Sequence, residues 1–203
     1  MKKSIAVVVM LAAWSAAEAP SQVVTEGPEI RVRVYCSLSG VTFVPGPVLD
    51  AAQAEATRLL QPAGIQLEWH TGRPPKGENG NDVVAISFSA TAMGLYRTSD
   101  KYSALAAAQP YAADYGTITV FADRVMSYLE GCPRTAAGRT LGHVLAHEIG
   151  HVLEGVARHS DTGLMKAKWS LDDLNVIYRR GLPMADEDLS LVRARFRSIA
   201  AVR

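Results

Sequence analysis

The 203-residue sequence predicts an α+β domain, and three observations carry that reading. Period-two alternation marks strands at Ile30, Val32, Val34 and Cys36, at Ile65, Leu67 and Trp69, and at Val84, Ile86 and Phe88, and the run 117–121 (TITVF) marks a fourth. Helical spacing interrupts them after Pro45-Gly46-Pro47 and takes over in the second half, across Thr140 to Glu154 and Asp186 to Ile199. Hydrophobic residues make 48% of the chain and charged ones 20%, enough for one packed core in a chain too short for two full domains.

Each element has its own local cause. Arg31, Arg33 and Tyr35 alternate with the apolar positions of the first strand, so one face is buried and the other is not. The first helix puts Leu49, Ala52, Ala56, Leu59 and Leu60 on one face and is stopped by Pro62 and Gly64, about fifteen residues by spacing. A polar Gly/Pro-rich loop covers Thr71 to Asp82, and Ala90 to Gly116, rich in Ala, Tyr and polar residues, shows no settled period. Thr140 to Glu154 carries Leu141, Leu145, Ile149 and Val152 on an apolar face and ends at Gly155, suited to a left-handed cap. The last helix has Leu189, Val192, Phe196 and Ile199 in one stripe, with Asp186, Glu187 and Asp188 at its start and Arg193, Arg195 and Arg197 later, as the helix dipole favours. It is expected to pack behind the sheet.

At the start of the chain, Met1-Lys2-Lys3, the uncharged run Ile5 to Trp14 and the small residues to Ala19 read as a signal peptide over 1–19. A polar lead-in over 20–29 and a single domain over 30–203 follow. The expected location is secreted or periplasmic, without a stable membrane anchor, since no apolar run reaches 18 residues. Cys36 and Cys132 are the only cysteines, and in an oxidising compartment they allow one possible disulfide; two separately buried thiols fit equally. Lys plus Arg number 21 against 20 for Asp plus Glu, so the chain lacks the basic excess of a nucleic-acid binder. A monomer is expected.

Four of the five histidines fall between 143 and 159, and 147–151 reads HEIGH, an HExxH motif within a helix. Residues four apart lie one turn apart on one face, so His147 and His151 can reach one Zn²⁺, with Glu148 beside them as a base for water. A catalytic zinc takes three protein ligands, and His159, after the turn at Gly155, is the leading third. Glu154 and Asp161 compete for that place. His143 shares the face but lies about 12 Å along the axis from His151, too far to join the same ion, and is read as a supporting or core histidine. His70 follows a strand and is read as a surface residue. Met165, in Gly163-Leu164-Met165, is either an apolar floor beneath the metal or a core methionine.

The run HEIGHVLEGVARHSDTGLM (147–165) resembles the zinc-binding helix, third histidine and Met-turn of the metzincin metalloproteases. The order of elements from Ile30 to Met165 resembles their N-terminal subdomain as well, followed by a small helical C-terminal part that includes Trp169. Against the usual HExxHxxGxxH, the glycine comes one residue late at Gly155 and the last histidine two residues late at His159, which calls for a bulged turn. The resemblance, strongest to secreted bacterial metzincin-like proteins, implies a zincin fold, with a mixed twisted sheet and an edge strand over the active-site helix. It implies Zn²⁺ held by His147, His151 and His159, a Met-turn at Met165, and an endopeptidase in which Glu148 activates a zinc-bound water. Thr117, Ile118, Thr119, Val120 and Phe121 are the expected edge strand for an extended peptide or protein substrate. Two other readings use the same histidines: a non-catalytic exported zinc-binding module, and a zinc hydrolase of a non-peptide bond such as a cell-wall amide.

Overall fold

Two strands that each follow a turn and run the same way need a crossover, and here it is a helix. β1 (Ile30–Ser37) leads through α1 (Gly46–Leu60) and a 3-10 turn (Gln61–Ala63) into β2 (Ile65–Thr71), which lies parallel to β1 with Ile30 opposite Ile65 and Val34 opposite Trp69. The computed structural model describes residues 29–38, 44–90, 104–110, 114–130 and 133–200. The expected signal peptide, residues 20–28 of the lead-in and Cys132 lie outside them, and the possible disulfide with Cys132. Cys36 is a buried thiol whose pKa burial pushes up to about 11.

β3 (Val83–Ser89) pairs parallel with the other side of β1, β5 (Gly116–Phe121) pairs parallel with β3, and β4 (Ala106–Gln109) closes the sheet antiparallel to β5. The order is β2-β1-β3-β5-β4, a five-stranded, mostly parallel mixed sheet. Val32, Val34, Val84, Ile118 and Val120 are wholly buried, as strands between two neighbours demand. The expectation that Thr117 to Phe121 form the edge is overturned. β5 has β3 on one side and β4 on the other, so the hydrogen-bonding edges of Thr117, Ile118, Thr119, Val120 and Phe121 are both taken. Among the described residues the edge on that side is β4, from the stretch whose sequence shows no period.

α2 (Ala122–Leu129) follows β5 directly, and α3 (Arg134–Glu154) begins six residues before the expected start, after Pro133. α4 (Leu171–Arg179) is a helix the periodicity did not show. It opens on a capping box, in which Ser170 Oγ accepts from the Asp173 N–H at 3.2 Å and Asp173 accepts from the Ser170 N–H at 2.7 Å. α5 (Asp186–Ala200), expected behind the sheet, instead packs on α3, with Val192 buried and Leu189 and Phe196 half-covered. Among the described residues no helix is long and apolar enough to cross a membrane.

α3 was expected to bury one stripe, yet from Thr140 to Glu154 every residue is buried. α1, β4, β5, α4 and α5 all pack on it. Its approach to α1 depends on missing side chains: a Cβ on Gly142 would stand 2.8 Å from the Ala52 carbonyl oxygen and 2.6 Å from the Glu55 Cβ. Helix propensity favours Ala over Gly by about 1 kcal/mol, but forcing two helices apart costs about 1–3 kcal/mol. Gly142→Ala is therefore expected to destabilise the fold by about 1 kcal/mol, and by no more than about 2, in denaturant unfolding. An unchanged or raised midpoint would show that α1 does not constrain α3 here.

Candidate metal centre

The HExxH run lies in the last two turns of α3, where His147, Glu148 and His151 are 9%, 8% and 7% exposed. Gly155 ends the helix at φ +69°, and its N–H donates to the His151 carbonyl at 3.0 Å, the left-handed cap the sequence predicts. The chain then turns back beneath the helix. The Ser160 N–H donates to the Met165 carbonyl at 2.9 Å, and the Leu164 N–H to the Pro183 carbonyl at 2.8 Å. This return places His159 with the other two: one ring nitrogen of each of His147, His151 and His159 lies within 4.8 Å of the others. Met165 is wholly buried, and its sulfur lies 2.5 Å from where a Cβ on Gly150 would stand, against the turn that carries both helical histidines.

Backbone carbonyls set the protonation of two of the rings. A carbonyl only accepts, so the Nδ1 of His147, 2.8 Å from the Leu164 oxygen, and the Nδ1 of His151, 3.3 Å from the Val156 oxygen, both carry protons. Burial holds the His147 pKa down to about 4 and, with its histidine neighbours adding to the effect, that of His151 to about 3. Both rings are neutral near pH 7, so each Nε2 presents a lone pair. The two Nε2 atoms face each other at 3.1 Å. Two lone pairs in that position repel unless a cation lies between them, and imidazole nitrogens are a donor set suited to zinc. The residues present therefore fit a zinc ion held by His147, His151 and His159. Neither Glu154 nor Asp161 belongs to the group.

Glu148 lies on the same helix, one residue beyond His147 and so about 100° round the axis from it. Burial pushes its pKa up to about 7, while a hydrogen bond from the Ala108 backbone N–H on β4 pulls the other way. Ala108 belongs to the short edge strand, and the sequence carries no signal for it. Trp169, placed by the sequence only in the C-terminal part, has its ring edge-on to those of His143 and His147 at 6.0 and 5.9 Å. Glu154 is buried with both carboxylate oxygens lacking a hydrogen-bond partner among the described residues, and burial, with Asp188 adding to it, pushes its pKa up to about 7. His70 stacks on Tyr35 on β1, away from the histidine group.

His143 lies one turn before His147 and is wholly buried. Its Nδ1–H donates to the Arg139 carbonyl at 2.8 Å and its Nε2 accepts from the Leu182 N–H at 3.1 Å, so the neutral ring ties α3 to the segment before α5. Of the two readings the sequence allows, a supporting or a core histidine, its complete burial fits the core one.

No family model matches the sequence, and no curated protein matches it. Among solved structures, a zinc-dependent peptidase from Methanocorpusculum labreanum superposes with a TM-score of 0.54 at 14% identity, over 79% of this chain and 99% of that one. An archaemetzincin from Methanopyrus kandleri gives a TM-score of 0.49 at 13% identity, over 86% of this chain and 99% of that one. At 14% identity the first likeness establishes the fold. The chain thus joins the fold of a solved zinc peptidase to a three-histidine group, two of its members buried and one exposed, that fits a cation.

The burial of His143 predicts an acid limb in stability. Burial, outweighing the Arg139 carbonyl and Glu55, lowers its pKa from 6.5, with Arg58 and Arg139 adding to the lowering. A histidine with a lowered folded-state pKa binds protons more readily when unfolded, so this contribution is lost as pH falls below 6.5. In urea unfolding of the metal-free protein, His143→Gln is expected to flatten the decline in stability between about pH 7 and 5. An identical slope in the variant would remove His143 from the account.

Proposed function

We propose that the protein is a secreted zinc-dependent endopeptidase. The observation that carries this is the pair of Nε2 lone pairs facing each other at 3.1 Å, with His159 beside them and a buried carboxylate one residue along. The fold of the Methanocorpusculum labreanum zinc-dependent peptidase supports the reading, and the basic start, apolar run and small residues of 1–19 support export.

His147, His151 and His159 would hold the ion. When bound, Zn²⁺ supplies Lewis acidity, lowering the pKa of water at the open position towards about 7 and polarising a carbonyl. The Leu164 and Val156 carbonyls orient His147 and His151 so that Nε2, not Nδ1, faces the site. Glu148 takes the proton of the attacking water and returns one to the leaving amine; a carboxylate whose pKa burial pushes up to about 7 is suited to both halves of that exchange. The Ala108 N–H fixes the carboxylate while it does so. Met165 closes the site from below as an apolar floor. An extended peptide has β4 as the strand edge nearest Glu148, and strand addition there would supply main-chain hydrogen bonds independent of side-chain identity.

Zinc content and digestion of a peptide library, measured together, test this reading. The wild type is expected to hold one zinc and to cleave within peptides, with cleavage lost on chelation and restored by zinc. Glu148→Gln should keep the zinc and lose about 10²–10⁴-fold in rate. Wild-type turnover in that variant would refute the role of Glu148, and a wild type without zinc would refute the site. One zinc with an intact peptide library would leave the binding module or a non-peptide bond in its place.

A further inference from the structure

His159 differs from its two partners in what orients it. His147 and His151 are buried on a helix and each donates to a carbonyl, whereas His159 is exposed on the return loop and no described residue hydrogen-bonds its ring. Its ring touches those of His147 and His151, at centroid distances of 5.4 and 4.9 Å. A loop ligand without its own anchor loses rotational freedom when it binds, and that loss weakens metal affinity unless the backbone on either side is fixed beforehand.

The backbone is fixed from α5. Asp188, in its first turn, is wholly buried. Its Oδ1 accepts from Arg158 Nη2 at 2.8 Å and from Ser160 Oγ, the residues immediately before and after His159. Its Oδ2 accepts from the Ala185 N–H at 3.3 Å, which ties the same carboxylate to the start of its own helix. Arg158 also meets Glu187 at 3.4 Å. A carboxylate with no solvent exposure is costly to bury, and here the two hydrogen bonds to its Oδ1 come from the two neighbours of one histidine. The loop is also longer than HExxHxxGxxH allows, so the extra residues give His159 more freedom to be removed.

We propose that Asp188 is a positioning residue for the third metal ligand, pinning Arg158 and Ser160 so that the His159 ring is held beside His147 and His151 before an ion arrives. The inference rests on the three-histidine zinc reading and adds to it a residue 29 positions beyond His159, from another element. Because Asp188 acts through His159, removing it should matter only while His159 is present.

The test is a double-mutant cycle on the full chain, read as the zinc dissociation constant by chelator competition. Asp188→Ala is expected to weaken zinc binding about 10–100-fold, the usual effect of losing a group that orients a ligand. In a His159→Ala background the same change should cost nothing further. With cobalt in place of zinc, Asp188→Ala should shift the visible bands towards those of His159→Ala, a signature that loss of fold stability alone would not give. Asp188→Asn, which keeps the Oδ1 acceptor, should recover part of the affinity. If Asp188→Ala does not fold, Ser160→Ala carries the cycle, with a smaller loss in the same direction. Unchanged affinity, or an equal loss with and without His159, overturns the proposal while a zinc-replete wild type leaves the site reading standing. A wild type that binds no zinc overturns both.

Discussion

Everything at the site follows from a helix with no face left to water. From Thr140 to Glu154 α3 is buried throughout, with strands, three other helices and the return loop around it. A polar side chain in such a helix must find a partner inside the protein or lose several kcal/mol of hydration, of order 2–7 by transfer measurements. His143 is satisfied at both nitrogens by Arg139 and Leu182. His147 and His151 are satisfied at one nitrogen each, and the unsatisfied nitrogens point at each other. Burial therefore does two things at once: it keeps the imidazoles neutral and leaves their remaining valence directed at one small volume.

The same burial sorts the titrating groups. Low dielectric penalises charge of either sign, so it pushes histidines down and carboxylates up, and at this site both changes suit the proposed chemistry. Neutral imidazoles are ligands, and a carboxyl that titrates near 7 gives and takes protons at working pH. Glu55 shows the contrast on the facing helix. It is as buried as Glu148, yet Arg58 donates to both its oxygens at 2.7 and 2.8 Å and outweighs burial, so its pKa falls. One carboxylate is locked into an ion pair, and the other is left able to exchange its proton.

The histidine group was legible in the sequence because its members are close along the chain and two share a helix face by arithmetic alone. The wall opposite was not. β4 consists of Ala106, Ala107, Ala108 and Gln109, four residues with neither alternation nor β-branching, whereas TITVF carries the strongest strand pattern because it is interior and covered on both sides. The features that make a sequence look like a strand are those of buried strands, so an exposed edge is the strand most easily missed. α4 fell to a different cause: nine residues give too few turns for periodicity, although Ser170 and Asp173 stood at capping-box spacing. The Ala108 N–H and the Leu164 and Val156 carbonyls are backbone groups, on which residue identity is silent.

The return loop that brings His159 beneath the helix has a consequence for the order in which the molecule comes together. All three imidazoles lie between positions 147 and 159, so closing that segment costs little chain entropy, since the cost of closure grows with loop length. The sheet, by contrast, needs β1 to find β2 across a whole helix and β3 to find β5 across more than twenty intervening residues. Pairing across such separations is slow compared with local closure. The histidine segment can thus gather early, as a local unit, while the strand that faces it and the helix that braces it arrive later from distant parts of the chain.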